Sequence, residues 1–166
     1  YDGYFVLDSD NLLEPDFIEQ MNKTFSAGYK VVTSYRNSKN YGTNWISSGY
    51  ALWFLREAKY LSNSRMILNT SCAISGTGFL IHRDMLKKRG GWKYFLLTED
   101  IEFSIASIID CEKIGYCHNS ILYYEQPETA ENIAADMRAL GEQQKYPFFF
   151  LLFRNFFFHK IVHQNY

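Results

Sequence analysis

The chain has 166 residues, 47% of them hydrophobic and 18% aromatic, with a formal net charge of −1. Leu, Ile, Val and Phe are too plentiful and the charge too small for a disordered chain, and the length suffices for one domain, or part of one. The lack of a basic excess speaks against nucleic acid as a partner, and Cys72, Cys111 and Cys117 show no zinc or redox spacing, their odd number suiting a reducing compartment better than a disulfide framework.

In chain order, Tyr4-Phe5-Val6-Leu7 is an apolar run of strand formers that stops at Asp8, the pattern of a buried strand in a parallel sheet. Tyr1–Leu7 has neither the basic region nor the cleavage site of a signal peptide. A chain seldom opens on its central strand, so a preceding part of the fold is expected outside this sequence. Pro15 suits a first helical residue and Asp16 the positive first turn of a helix reaching about Phe25 and ending near Gly28. Lys30–Tyr35 reads as a second strand. Residues 36–49 are polar and turn-rich, and from Tyr50 to Leu61 apolar residues recur at helical spacing. Ala73–Ile81 is predicted as a strand reached through a glycine-bearing turn, and Arg83–Arg89 as a short helix stopped by Gly90-Gly91. Thr98 suits the cap of a helix with an Ile101, Ile105, Ile108 and Ile109 stripe, and Ile121–Tyr124 makes a last strand. Alternating strands and helices imply an α/β fold without internal repeats.

Several short motifs carry possible chemistry. Leu7-Asp8-Ser9-Asp10-Asn11 puts two carboxylates just past the first strand, and strand C-termini are where open parallel sheets bind ligands. Such a pair can hold one hard cation, Mg2+ or Mn2+, with positions left open for phosphate oxygens. Three readings compete. An EF-hand loop starting at Asp8 needs an oxygen ligand and a glycine where Leu12 and Leu13 stand; a phosphatase of the strand–Asp-x-Asp type continues in Gly-Thr; a plain turn needs no ligand. Leu97-Thr98-Glu99-Asp100 places acids at a helix start, where the helix dipole alone would favour them. Ser75-Gly76-Thr77-Gly78-Phe79 lets backbone approach a ligand closely, or simply makes a tight turn into a strand. Trp92, after Gly90-Gly91 and close in sequence to Leu97–Asp100, is the tryptophan best placed to stack on a ligand, whereas Trp45 and Trp53 read as packing residues. His82, His118, His159 and His163 show no ligand spacing beyond the i, i+4 pair His159 and His163, which reads as interfacial. Local charge alternates, negative over 1–30, positive over 31–94 and negative over 95–142; this suits a metal and diphosphate site, and ordinary solvated faces equally.

The ordered series LDSDN, SGTGF, GGW, LTED and YEQPET resembles that of the inverting family 2 glycosyltransferases of GT-A fold, particularly their membrane-associated, cellulose-synthase-like branch, over about Tyr1–Thr129. The resemblance implies a Rossmann-like mixed sheet flanked by helices. It also implies a nucleotide-sugar donor, expected to be a UDP-sugar, a saccharide or lipid-linked acceptor, and Mg2+ or Mn2+ as cofactor. Asp8 and Asp10 correspond to the DxD that holds the cation and the diphosphate, with Asp10 as the direct metal ligand. Asp100 corresponds to the general base, Glu99 to its substrate-binding neighbour, and Gly76, Thr77 and Gly78 to the wall near the transferred sugar. A base so placed takes the acceptor proton in one inverting displacement and contributes about 10²–10⁴ in rate.

Two features depart from that series. The nucleotide-binding half that precedes the DxD in such domains is not in this sequence, so residues 1–142 are expected to be a partial catalytic domain. The QxxRW position reads Ala135-Asp136-Met137-Arg138-Ala139, leaving Arg138 either to pair with phosphate or to stand as a surface helix residue. This weighs against processive polymer synthesis more than against glycosyl transfer, and a non-catalytic sugar- or nucleotide-binding remnant is the competing class. Much of the aromatic excess lies in the remaining 143–166, with Phe148, Phe149, Phe150, Phe153, Phe156, Phe157 and Phe158. Arg154 and Asn155 interrupt that run, which predicts an aromatic amphipathic tail lying in a membrane interface, or a core helix over the sheet. The location so implied is the cytoplasmic face of a membrane.

Overall fold

A computed structural model of the chain describes residues 1–95, 98–129, 131–132 and 134–135. The chain divides into two units, Tyr1–Ala130 and Glu131–Tyr166, and all the regular elements below belong to the first. In the second, Glu131, Asn132, Ala134 and Ala135 are exposed. Arg138, the boundary expected at 142, the aromatic tail, His159 and His163 lie outside the described residues. No helix among the described residues is long and apolar enough to cross a membrane.

Strands β1 (Gly3–Val6), β2 (Leu12–Leu13), β3 (Val31–Ser38), β4 (Phe79–His82) and β5 (Ile114–Tyr124) form one sheet in the order β1-β4-β3-β5-β2. β3 and β5 run parallel, and the other neighbours are antiparallel. Helices α1 (Phe17–Ser26), α2 (Trp45–Leu55), α3 (Asn63–Ile67), α4 (Arg83–Arg89) and α5 (Glu99–Ile109) flank the sheet, with a π-helical stretch, Arg56–Ser62, joining α2 to α3. The expected mixed α/β architecture is what forms.

Period-two alternation along the strands builds two cores. Val32, Leu80, Cys117 and Leu122 pack with Phe17 and Met21 of α1. Their chain neighbours Val31, Ile81 and Tyr116 join Phe79, Met85 and Phe103 in a separate cluster, so adjacent residues serve opposite faces of the sheet. Each fully buried large side chain contributes about 1.5–3 kcal/mol relative to exposure.

Several elements differ from expectation for local reasons. β1 is not a buried parallel strand: it is an edge strand among those described, antiparallel to β4, with Tyr4 45% exposed. β4 starts only at Phe79, because Gly76 (φ 71°) and Gly78 (φ 74°) take the left-handed conformation and break the extended path from Ala73. α2 starts at Trp45, ahead of the expected Tyr50. Asn44 accepts bonds from the Ile46 and Ser47 amides, both at 2.9 Å, while Ser47 Oγ accepts from Asn44 N at 3.2 Å. Trp45 and Trp53 are not core residues; they are 82% and 59% exposed, and the Arg56 guanidinium lies 5.0 Å from the Trp53 ring. Asp16 sits before α1 and not within its first turn, and Thr98 makes no side-chain cap.

Candidate active site

Antiparallel pairing of Val6 with Phe79, and of Phe79 with Thr33, brings the C-terminal end of β1 and the third residue of β3 beside the start of β4. Three motifs far apart in sequence therefore meet at one end of the sheet. The Asp8 N–H donates to Thr77 Oγ1 at 2.9 Å, and that hydroxyl donates to Asn11 Oδ1 at 2.6 Å. Asn11 also closes the Asp8–Asn11 turn, its N–H donating to the Asp8 carbonyl at 3.1 Å. The Gly78 N–H donates to Val6 O at 3.0 Å and its carbonyl accepts from the Ser34 N–H at 3.1 Å. These bonds tie LDSDN to SGTG.

The third motif arrives on α5. Asp100 Oδ2 accepts from the Gly76 N–H at 2.6 Å, and Oδ1 accepts from the Ile101 N–H at 2.8 Å. Ser104, one turn on, bridges the Asp100 carbonyl (2.7 Å) and the Ile74 N–H (2.9 Å), fixing the helix start to the segment before Gly76. The Asp100 carboxylate is thus held by two backbone donors beside the Asp8 turn. Glu99, its neighbour on the first turn, is half-exposed and makes no side-chain bond among the described residues.

Arg36 of β3 went unnoticed in the sequence. Its guanidinium lies between two rings, 4.1 Å from the Phe54 centroid and 3.9 Å from that of Tyr124, and Nη1 donates to the Ser75 carbonyl at 3.2 Å. Burial lowers its pKa, opposed by Tyr124, Asp8, Glu57 and Asp100 in turn. The only available signal was an arginine just past the apolar start of the strand, among polar residues that mask it. With Ser34, Glu57, Ser75 and Thr77 it lines a cavity of about 20 Å³, room for about one water.

The turn-rich 36–49 segment and YEQPET explain one another. Asn40 exchanges two 2.9 Å bonds with the Gln126 backbone and adds one to Glu128 Oε1, while Asn44 Nδ2 reaches Glu128 O at 2.9 Å. Lys39, at the start of this seam, donates through Nζ to the Asp10 carbonyl. The asparagines that read as turn formers are therefore stitches that carry the residues after β5 to the margin of the site.

No group of three or more His, Cys, Asp and Glu side chains converges among the described residues. Asp8 and Asp10 are both exposed, and the Asp8 carboxylate accepts no hydrogen bond among the described residues. Asp10 Oδ1 takes one, from Asn11 Nδ2 at 3.3 Å. Two free-facing carboxylates make an all-oxygen set, which fits Mg2+ or Mn2+ completed by water and phosphate better than a closed zinc site.

Of the residues singled out in the sequence, Asp8, Gly76, Thr77, Gly78 and Asp100 come together. Trp92 joins the core instead, its ring stacked on Phe103 at 5.2 Å and edge-on to Tyr94 at 5.2 Å. Glu102, beyond Asp100 on α5, has its carboxyl pushed up by burial, and its Oε2 is buried without a hydrogen-bond partner among the described residues. The Cys72 thiol is buried and raised to about 12, which suits packing and not reactivity.

A family model described as glycosyltransferase-like family 2 matches residues 3–139. No curated protein matches the chain.

Proposed function

Because the chain belongs to the glycosyltransferase-like family 2 and is thereby a glycosyltransferase of nucleotide-sugar donor and acceptor, we propose that it works by a metal-dependent, inverting single displacement with Asp100 as general base. The observation that carries this reading is the hydrogen-bonded chain from the Asp8 turn through Thr77 and Gly76 to Asp100. It links the turn that carries Asp8 and Asp10, read as the cation and diphosphate pair, to Asp100, read as the base, through one backbone segment.

In this scheme Asp8 and Asp10 hold the donor's diphosphate end, with Asp10 as the direct metal ligand. When bound, Mg2+ or Mn2+ supplies positive charge against the charge developing on the departing diphosphate. Asp100, aimed by the Gly76 and Ile101 amides, accepts the proton of the acceptor hydroxyl. The acceptor oxygen bonds to the anomeric carbon as the carbon–oxygen bond to the diphosphate breaks, and the electron pair leaves with the diphosphate. Gly76 and Gly78, lacking Cβ atoms, let this segment lie against Arg36 and against Leu122 and Ser34, which fixes it beneath the site. Glu99, on the half-buried first turn of α5, is assigned to the acceptor in the same scheme. The finer readings belong to the same proposal: a UDP-sugar donor, a saccharide or lipid-linked acceptor, Arg138 as a further substrate contact, membership of the cellulose-synthase-like branch, and work at the cytoplasmic face of a membrane.

The test is donor binding by calorimetry on the intact protein, with and without Mn2+. Binding is expected to need the ion, and Asp10→Ala to weaken ion and donor together. Donor binding indifferent to both would overturn the assignment of the Asp8–Asp10 pair.

A further inference from the structure

The contact between Gly76 and Asp100 depends on an unusual piece of backbone. The Thr77 N–H donates to the Ser75 carbonyl at 2.9 Å across Gly76, whose φ is 71°. An i to i+2 bond around a residue of positive φ is the rarer form of γ-turn, open here because the central residue is glycine. The Ser75 carbonyl that closes this turn also accepts from Arg36 Nη1 at 3.2 Å, and a Cβ on Gly76 would come within 3.1 Å of the same nitrogen. Arg36 thus lies directly against the turn. Its plane is fixed by Phe54 on one side and Tyr124 on the other.

We propose that Arg36 is a positioning residue for the transfer reaction: clamped between Phe54 and Tyr124, it holds the Ser75 carbonyl, and so the γ-turn that presents the Gly76 N–H to Asp100. This rests on the reading of Asp100 as the base. The charges of Asp8, Glu57 and Asp100 all act on Arg36, yet among the described residues its hydrogen bond goes to a carbonyl and not to any of them. The cation is therefore spent on backbone geometry at the point where the two carboxylate groups are joined. A misplacement of about 1 Å in a catalytic group can cost about 10²-fold in rate, so the turn matters more to turnover than to donor affinity. Lysine cannot replace this arginine, since an ammonium has no plane for two rings to clamp.

The experiment uses Arg36→Lys, Arg36→Met and, as the milder change that leaves the arginine in place, Phe54→Leu, all in the intact protein. Steady-state kinetics are expected to show kcat reduced about 10–100-fold in both Arg36 variants, and less in Phe54→Leu, with donor KM within about twofold of wild type. Hydrogen exchange is expected to quicken at the Gly76 and Thr77 amides in all three, with the β3 and β4 amides unchanged. A raised donor KM at unchanged kcat would make Arg36 a substrate-binding residue and overturn the proposal, as would full activity in Arg36→Lys or unaltered exchange at Gly76. Absence of transfer by the wild type would refute the function reading instead, and the exchange measurement would still decide the role of Arg36.

Discussion

Gly78 is the point at which the site and the core share a constraint, and Gly78→Ala measures it. Its φ of 74° costs a non-glycine residue about 1–2 kcal/mol. The larger obstacle is space: a Cβ there would lie 1.8 Å from Leu122 Cδ2 and 2.5 Å from Ser34 Oγ. Leu122 is fully buried in the cluster under α1, and Ser34 is 6% exposed, so neither can move into solvent. Overpacking of this kind costs about 1–3 kcal/mol, which brings the total to about 2–5 kcal/mol. Gly91→Ala is the matched control, because Gly91 has a φ of 106° with nothing within 4 Å of its ideal Cβ. It carries the backbone cost alone. At about 2–4 °C per kcal/mol for a chain of this size, the overpacking term alone should make Gly78→Ala melt about 2–12 °C below Gly91→Ala, as followed by circular dichroism. Equal melting temperatures would refute the packing argument and, with it, the placement of SGTG against β3 and β5.

Other consequences follow from single contacts. Thr77→Val keeps the shape but removes the hydroxyl shared by the Asp8 N–H and Asn11 Oδ1; it should cost about 1–2 kcal/mol in denaturant titration and weaken metal-dependent donor binding. The Asp110 carboxyl is held below its ordinary value of 3.8 first by hydrogen bonding from Arg89, whose Nη2 lies 2.9 Å from Oδ2. A depressed folded pKa gives stability that is present above the unfolded value and lost as pH falls through the folded one. The stability gap between wild type and Asp110→Asn should therefore be constant near neutrality and close below about pH 4, as read from urea titrations at stepped pH. Thiol labelling should find Cys111 reactive in the native protein and Cys72 protected until denaturant is added, since Cys111 is exposed and Cys72 buried.

The sequence was most legible where local chemistry and tertiary structure agree. Gly90-Gly91 stops α4 after Arg89, with Gly90 at φ 71°, because a positive-φ C-terminal residue is a local requirement. The acids of LDSDN and LTED were visible as residues, and the family resemblance supplied their pairing. What joined them was not visible: Thr77 bridging to Asn11, and Gly76 donating to Asp100, span 66 and 24 residues and leave no periodic trace. Arg36 was missed because its partners, Phe54, Ser75 and Tyr124, come from three other segments. The apolar run of β1 misled for a different reason. Its composition suggested two covered faces, whereas pairing with β4 on one side leaves Tyr4 in solvent. Trp45 and Trp53 show the same limit, since hydrophobicity alone does not say which side of α2 meets the sheet.

The most direct measurement is turnover of Asp100→Asn against wild type at saturating donor, on whichever nucleotide-sugar the intact protein consumes. Asparagine keeps one oxygen, enough to accept from the Gly76 amide, gives up the acceptor that faces the Ile101 amide, and cannot take the acceptor proton. Turnover should fall by about 10²–10⁴-fold, with donor affinity unchanged and the melting temperature lowered by no more than the loss of one hydrogen bond allows. Turnover at the wild-type rate in that variant would contradict the account at its centre.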